Sequence, residues 1–191
     1  MAALRAREGM AARALEFAIL TAARSGEVRR AQWSEIHRDR AEWIIPAARM
    51  KVAKDHSVPL SEPALAVLRE MAAFNDGSGL VFLGQRRGVP MSEMTLTTVL
   101  RRMRNGDRTV HGFRSTFRVW AGETTAHPNH VVEHALAHTI GSAVEAAYRR
   151  GDLIAKRRTL MDDWANYLAK PAAQVVRPRF GKQHAAHDVV A

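Results

Sequence analysis

Residues 11–23, AARALEFAILTAA, constrain the fold most, because nearly every side of a helix over this segment is apolar. Ala and Leu favour helices, and a helix at the protein surface would instead show a polar face. The segment therefore predicts a buried helix that ends near Ser25 and Gly26, with Arg24 at the point where the helix stops.

The rest of the chain predicts short strands first and helices afterwards. Strands are expected at 42–46 and 56–60, joined by a basic connection that contains Met50, Lys51 and Lys54. We expect a small three-stranded sheet near residues 42–84, a range that includes the short apolar piece 79–84. Helices are expected at 61–74, where Ser61 can form the cap, and near 92–103, 112–124, 129–138, 141–149 and 153–169. This pattern predicts a mainly α fold with a small antiparallel β-sheet, in the α+β class.

The length of 191 residues is sufficient for one sizeable core. We interpret residues 1–170 as one domain. The segment 171–191 lacks a sustained hydrophobic period and is expected to be a mobile carboxy-terminal tail.

The charge balance favours a polyanionic partner. Lys and Arg number 29 against 19 Asp and Glu, and the net charge is +10, so nucleic acid is the partner class that the charge indicates. The absence of cysteine excludes disulfides, thiolate nucleophiles and cysteine-bound zinc. No apolar run approaches the ~20 residues that span a bilayer. We expect a soluble, intracellular protein.

A pair of basic side chains stands at the start of one predicted helix. His111 and Arg114 lie three positions apart in His-Gly-Phe-Arg, so both can face one point near the end of a helix that favours an anion. Such a pair could bind a phosphate. Taken alone it is weak evidence, because His-x-x-Arg occurs often by chance.

Three segments together carry more weight: ARSGEVRRAQW at 23–33, HGFRSTFRVWAGE at 111–123 and LAHTIGSAVEAAYRRGD at 136–152. In this order and spacing they resemble the tyrosine recombinases, and more closely the prophage-type integrases, from about Leu15 to Leu168. The resemblance implies the tyrosine recombinase catalytic-domain fold. It also implies a set of six catalytic residues, Arg24, Lys51, His111, Arg114, His138 and Tyr148.

The resemblance implies site-specific DNA recombination, either integration or excision, through a 3'-phosphotyrosyl intermediate. Arg24 and Arg114 suit the role of holding the charge that develops on an attacked phosphate, because guanidinium stays protonated and offers a planar fork of donors. Tyr148 would be the nucleophile. Lys51 would protonate the departing 5' oxygen, and His111 or His138 would accept the phenol proton or bind the phosphate. We expect neither a cofactor nor a metal, because the covalent link conserves the energy of the phosphodiester.

The expected partners are duplex DNA and further copies of the chain. Recombination joins two duplexes, so the family resemblance implies a homo-oligomer on DNA, a tetramer in synapsis, with possible accessory DNA-bending proteins in the cytoplasmic nucleoid. Integrases normally carry amino-terminal DNA-binding domains ahead of the catalytic one, and here that domain begins almost at Met1. We therefore expect the 191-residue chain to bind DNA weakly, through salt-sensitive phosphate contacts.

Three alternatives compete with this interpretation. His130, His134 and His138 recur at four-residue steps and could indicate a zinc site, but no carboxylate or cysteine cluster matches them, so zinc binding is not the leading hypothesis. The chain could also be a DNA-binding remnant without catalysis. A type IB topoisomerase would use similar chemistry to relax supercoils.

Further residues receive structural rather than catalytic assignments. Glu27 is expected to orient Arg24 or cap the local backbone, and Tyr167 is expected to pack in the last helix. Two residues depart from the family pattern: Val119 stands where relatives often have Asp, and Ala137 stands where other branches commonly have Gly.

Overall fold

Eight α-helices and three β-strands form over the described residues, 1–50, 53–105, 107–138 and 153–171, of the computed structural model. The helices are α1 (Ala2–Arg5), α2 (Met10–Thr21), α3 (Ser25–Arg29), α4 (Glu62–Ala72), α5 (Thr95–Arg102), α6 (Val110–Thr124), α7 (Asn129–Ala135) and α8 (Ile154–Ala169). The strands are β1 (Ile36–His37), β2 (Glu42–Ile45) and β3 (His56–Pro59). The expected helix at 141–149 and the expected tail beyond 171 lie outside the described residues. None of the described helices has the length and apolarity that crossing a bilayer requires.

Helix α2 lies at the centre of the fold, as its sequence predicts. Ten of its residues, from Ala12 to Thr21, are buried. It contacts α1, α3, α4, α5, α6 and α8. Phe17 packs against Trp43 of β2 and against Phe82, each with a centroid distance of 5.4 Å. Full burial of each large apolar side chain contributes roughly 1.5–3 kcal/mol, so this helix organises the core.

The sheet is three-stranded and antiparallel, in the order β1-β2-β3, as the α+β expectation requires. Trp43 pairs with Ile36 on one side and with Val58 on the other. The expected range of 42–84 is wrong, because the third strand is the two-residue β1 and the sheet ends at Pro59. Residues 79–84 contribute only isolated bridges, such as Gln32 with Leu80. The apolar side chains of Val81 and Phe82 pack in the core, and these two residues do not pair in the sheet.

Several helix ends differ from the sequence predictions. Ser61 occupies the cap position of α4, but its side chain makes no capping hydrogen bond, and its buried Oγ has no partner among the described residues. Helix α6 begins at Val110, two residues earlier than expected, because the Thr109 Oγ1 accepts a hydrogen bond from the Gly112 N–H at 2.9 Å. Helix α7 ends at Ala135, three residues before the expected end.

Helix α8 packs on α2, α6, α7 and β3. The Trp164 Nε1–H donates to the Ile19 carbonyl at 2.8 Å, and the Trp164 ring stacks on Tyr167 at 5.6 Å. The packing role expected for Tyr167 is therefore confirmed. Two helical turns before Trp164 on α8, Arg157 is almost fully buried and donates to the Ser57 carbonyl of β3. These contacts attach the last described helix to both the core helices and the sheet.

Candidate active site

Arg24 lies between α2 and α3, at the position where a helix ends and another starts. Ala22 ends α2 in a left-handed conformation (φ 49°), and Arg24 caps α3. Glu27 folds back on Arg24: its Oε2 accepts from the Arg24 backbone N–H, and its Oε1 accepts from Nη1, both at 2.8 Å. The expectation that Glu27 orients Arg24 is confirmed. The Arg24 side chain is 34% exposed, so its guanidinium is fixed yet remains accessible.

Arg114 projects from α6 into the core and is 5% exposed. Its Nη1 donates to the Ala22 carbonyl, and its Nη2 donates to the Leu136 carbonyl at 2.7 Å. Burial, followed by the positive charge of Arg24, lowers the pKa of Arg114 to about 10, so it remains protonated at neutral pH. Its buried Nε has no hydrogen-bond partner among the described residues.

The carboxy-terminal end of α7 brings the two arginines together. The Ala137 N–H donates to the His134 carbonyl at 3.1 Å and the His138 N–H donates to the Glu133 carbonyl at 3.0 Å, the pattern of a Schellman motif. This leaves the carbonyls of Leu136 and Ala137 available to side chains. Arg24 Nη2 lies 3.5 Å from the first and 3.4 Å from the second, and Arg114 binds the first. Helix ends of this polarity stabilise cations.

His138 follows directly after this turn. Its Nδ1 lies 2.6 Å from Glu133 Oε2, and its side chain is 39% exposed. His138 lines a cavity of about 220 Å³ together with His134 of α7 and Ala137. The other lining residues belong to the connection between β2 and β3 and to the start of β3: Met50, Lys54, Asp55 and His56. The connection that contains Lys51 therefore borders the same cavity as His138.

The other three expected site residues are His111, Lys51 and Tyr148, and the structure describes only the first of them. His111 is the second residue of α6, with an exposed side chain, three residues before Arg114. Lys51 and Tyr148 lie outside the described residues. The structure thus brings Arg24 and Arg114 together, places His138 one residue beyond the carbonyls that hold them, and leaves His111 on the neighbouring first turn of α6.

Sequence reasoning missed Arg49, which links the site to the sheet. Its Nη2 donates to the Glu27 carbonyl at 2.6 Å, and its Nη1 donates to Glu35 Oε1. Glu35 Oε2 also accepts from the Trp43 Nε1–H at 2.9 Å. Arg49 therefore connects Glu27, the residue that orients Arg24, with Glu35 and, through Glu35, with Trp43 of β2. No local pattern marks it, because its partners lie 14 and 22 positions away in the sequence.

His56, the first residue of β3, was also missed. Burial is the main cause that lowers its pKa to about 3, and the positive charge of Arg157 is the next, while a hydrogen bond with the Ala135 backbone opposes the shift. His56 is therefore a neutral, buried group behind the cavity. It offers packing and a hydrogen bond rather than charge.

The structure also bears on the zinc alternative. His130 and His134 lie on α7, whereas His138 follows the turn after that helix. The regular four-residue helical spacing that motivated the hypothesis therefore does not extend to His138. Across the described part of the chain, no three side chains of His, Cys, Asp or Glu cluster as metal ligands would.

Comparison with known proteins identifies the family of the chain. The profile of the phage integrase family matches residues 2–152. The chain belongs to the phage integrase family. The matched region includes all six expected site residues of this integrase-family chain.

Two curated relatives illustrate the similarity. The chain is 39% identical to the Prophage integrase IntA of Escherichia coli over 152 residues, which cover 78% of this chain and 37% of that protein. It is 34% identical to the Integrase of Enterobacteria phage P4 over 172 residues, which cover 81% of this chain and 39% of that protein. This family member thus spans about two fifths of the length of these relatives. No solved structure matches the chain.

Proposed function

We propose that this chain is the catalytic domain of a tyrosine-type site-specific DNA recombinase. The observation that supports the proposal most directly is the pair of guanidinium groups, Arg24 and Arg114, that share the Leu136 carbonyl. Two guanidinium groups close together repel each other, and Glu27 pairs with only one of them, Arg24, so the net positive charge that remains favours a further anion. A phosphodiester of duplex DNA supplies that anion, and the net charge of +10 is consistent with this partner.

In the proposed reaction, the Tyr148 Oη attacks the phosphorus of one strand. The Oη–P bond forms as the bond from phosphorus to the 5' oxygen breaks, which gives a 3'-phosphotyrosyl link. Arg24 and Arg114 hold the negative charge that develops on the non-bridging oxygens. Lys51 donates a proton to the 5' oxygen, and His138 or His111 accepts the phenol proton. The sequence position of Lys51 beside Met50, which lines the His138 cavity, supports this division of roles.

Rejoining reverses these steps with a different 5' hydroxyl. The phosphotyrosyl bond has an energy close to that of the original phosphodiester, so the proposed exchange uses no metal or cofactor. Exchange between two duplexes requires several protomers, so we propose that the chain acts as a homo-oligomer on DNA, a tetramer in synapsis. Within this proposal, residues 1–170 form the catalytic domain.

The test is a nicked suicide DNA substrate, incubated at low salt, where phosphate contacts are strongest. A denaturing gel should show a covalent protein–DNA adduct with the native protein and none with Tyr148→Phe. Tyr167→Phe is the matched control, because it also removes a phenol hydroxyl but keeps the ring that stacks on Trp164. An adduct with Tyr148→Phe but not with Tyr167→Phe would contradict the assignment.

Two other outcomes discriminate between the alternatives. An adduct that relaxes a plasmid but never joins a second duplex would indicate topoisomerase chemistry. A DNA complex in a mobility-shift assay, without an adduct, would indicate a non-catalytic DNA-binding protein.

A further inference from the structure

Glu133 lies beside the arginine site, in contact with His138, and sequence reasoning did not identify it. It lies on α7, three residues before Leu136, and its side chain is 14% exposed. Its Oε1 accepts from Arg118 Nε at 2.5 Å, and its Oε2 lies 2.6 Å from His138 Nδ1. Its backbone carbonyl also accepts from the His138 N–H. Glu133 therefore holds both the backbone and the ring of His138.

The protonation state of Glu133 decides which His138 nitrogen carries hydrogen. Burial alone would raise the pKa of Glu133, but the hydrogen bonds from Arg118 and His138 outweigh burial and hold this pKa below its usual range. The carboxylate is therefore ionised at neutral pH and can only accept hydrogen bonds. The nitrogen that faces it, Nδ1, must then carry a proton. Any proton that His138 exchanges with another group has to pass through Nε2.

Arg118 gives Glu133 a fixed position. Arg114 and Arg118 are one helical turn apart on α6, and the first binds the Leu136 carbonyl while the second binds the Glu133 carboxylate. Two adjacent turns of α6 thus hold the last turn of α7 and the residue that caps it. As a result, the His138 ring is positioned relative to the same helix that carries Arg114.

We propose that Glu133 is a positioning residue for His138, holding the ring so that Nε2 is the nitrogen that exchanges protons during strand cleavage. This inference rests on the proposed recombinase function. It deepens that function by assigning one His138 nitrogen to the reaction and a carboxylate to its control. The carboxylate acts through His138 and does not itself touch the reacting phosphate.

The first measurement needs no DNA. Long-range proton–nitrogen NMR of the full chain at pH about 8, where an ordinary imidazole with a pKa of ~6.5 is neutral, reports which nitrogen of each histidine is protonated. The His138 signals are assigned by their loss in His138→Asn. We expect the Nδ1–H tautomer in the native protein and the Nε2–H tautomer in Glu133→Ala. Glu123→Ala is the matched control, since Glu123 is an exposed carboxylate on α6, and it should leave the His138 signals unchanged.

The second measurement is the rate of adduct formation on the suicide substrate at neutral pH. We expect Glu133→Ala to slow adduct formation by about 10-fold or more at neutral pH, as losses of a partner that orients a functional histidine commonly do. Glu133→Gln, whose amide oxygen can still accept from Nδ1, should retain more of the rate than Glu133→Ala.

The two measurements separate the possible failures. An Nε2–H tautomer in the native protein, or a tautomer that is the same in Glu133→Ala, would overturn the positioning role even if the protein cleaves DNA. A native rate of adduct formation in a folded Glu133→Ala variant would overturn it as well. If the native protein forms no adduct, the proposed function fails and the catalytic part of this inference fails with it, while the tautomer still reports whether Glu133 controls the ring.

Discussion

Arg114 donates from Nη2 to the Leu136 carbonyl at 2.7 Å, and this contact joins residues 22 positions apart that frame the candidate site. The same carbonyl lies 3.5 Å from Arg24 Nη2, 112 positions away. The two hydrogen bonds of the Schellman turn satisfy the carbonyls of Glu133 and His134, and the carbonyls of Leu136 and Ala137 accept from arginine side chains instead. The end of one short helix thus determines where two guanidinium groups meet.

Arg114→Lys should retain positive charge but lose activity. An ammonium group cannot donate in two fixed directions to the Ala22 and Leu136 carbonyls while also facing a phosphate. We expect adduct formation to fall by about 100-fold, the loss typical for one donor that stabilises developing charge. Single-turnover rates on the suicide substrate measure it. Arg101→Lys, an exposed position on α5, should change the rate little, and an equal loss in both variants would argue against the assignment.

Ala137→Gly should stabilise the protein. Ala137 has φ 49°, a left-handed conformation that costs a residue with a Cβ roughly 1–2 kcal/mol. Glycine avoids this strain, although it increases the entropy of the unfolded chain, so we expect a net gain of about 0.5 kcal/mol. Urea denaturation measures the free energy of unfolding. Ala66→Gly, in the exposed interior of α4, should instead destabilise the protein by about 1 kcal/mol.

Stability should fall in mild acid because of His56. In the unfolded chain its pKa is near 6.5, whereas burial and the charge of Arg157 lower the pKa in the folded protein to about 3. Below pH 6.5 the unfolded state therefore binds a proton that the folded state does not, and this contribution to stability is lost as the pH falls towards 3. Above pH 6.5 both states are neutral at this position and the effect vanishes.

The measurement for His56 is the difference in unfolding free energy between the native protein and His56→Gln. This difference should change by up to about 1.4 kcal/mol per pH unit between pH 6 and pH 4, in the direction that favours the variant in acid. His37→Gln, at a half-buried position on β1, provides the comparison histidine. A difference that does not vary with pH would show that His56 is not a buried neutral group.

Arg49→Met should destabilise the protein where Glu27 and Glu35 meet and should impair the candidate active site. It removes the hydrogen bond to the Glu27 carbonyl and leaves the buried Glu35 without its ionic partner. Removal of one partner from a buried pair costs 3–5 kcal/mol, and the partial exposure of Arg49 reduces our expectation to about 2–3 kcal/mol. Denaturation gives the loss directly. Adding Glu35→Gln to Arg49→Met should recover part of the lost unfolding free energy. A loss in the double variant equal to the sum of the losses in the two single variants would contradict the coupling between Arg49 and Glu35.

Most of the helices could be predicted because their signals are local. The apolar segment 11–23, the helices expected near 112–124, 129–138 and 153–169, and the pairing of the two strands joined by the basic connection all follow from short-range patterns. The third strand could not be predicted in this way. It has two residues, Ile36 and His37, too few to show a period, while the more apolar piece 79–84 is buried without joining the sheet.

The sequence by itself determined the family, the buried helix, and the role of Glu27, which lies three residues from Arg24 and so can reach it within one helical turn. Only the tertiary structure decided what the other basic groups contact. Arg24 and Arg114 meet at backbone carbonyls, which every residue possesses and no motif marks. Glu133 reaches His138 because α7 ends between them and the left-handed Ala137 reverses the chain. Such contacts depend on where the chain turns and packs, and that is a property of the whole fold.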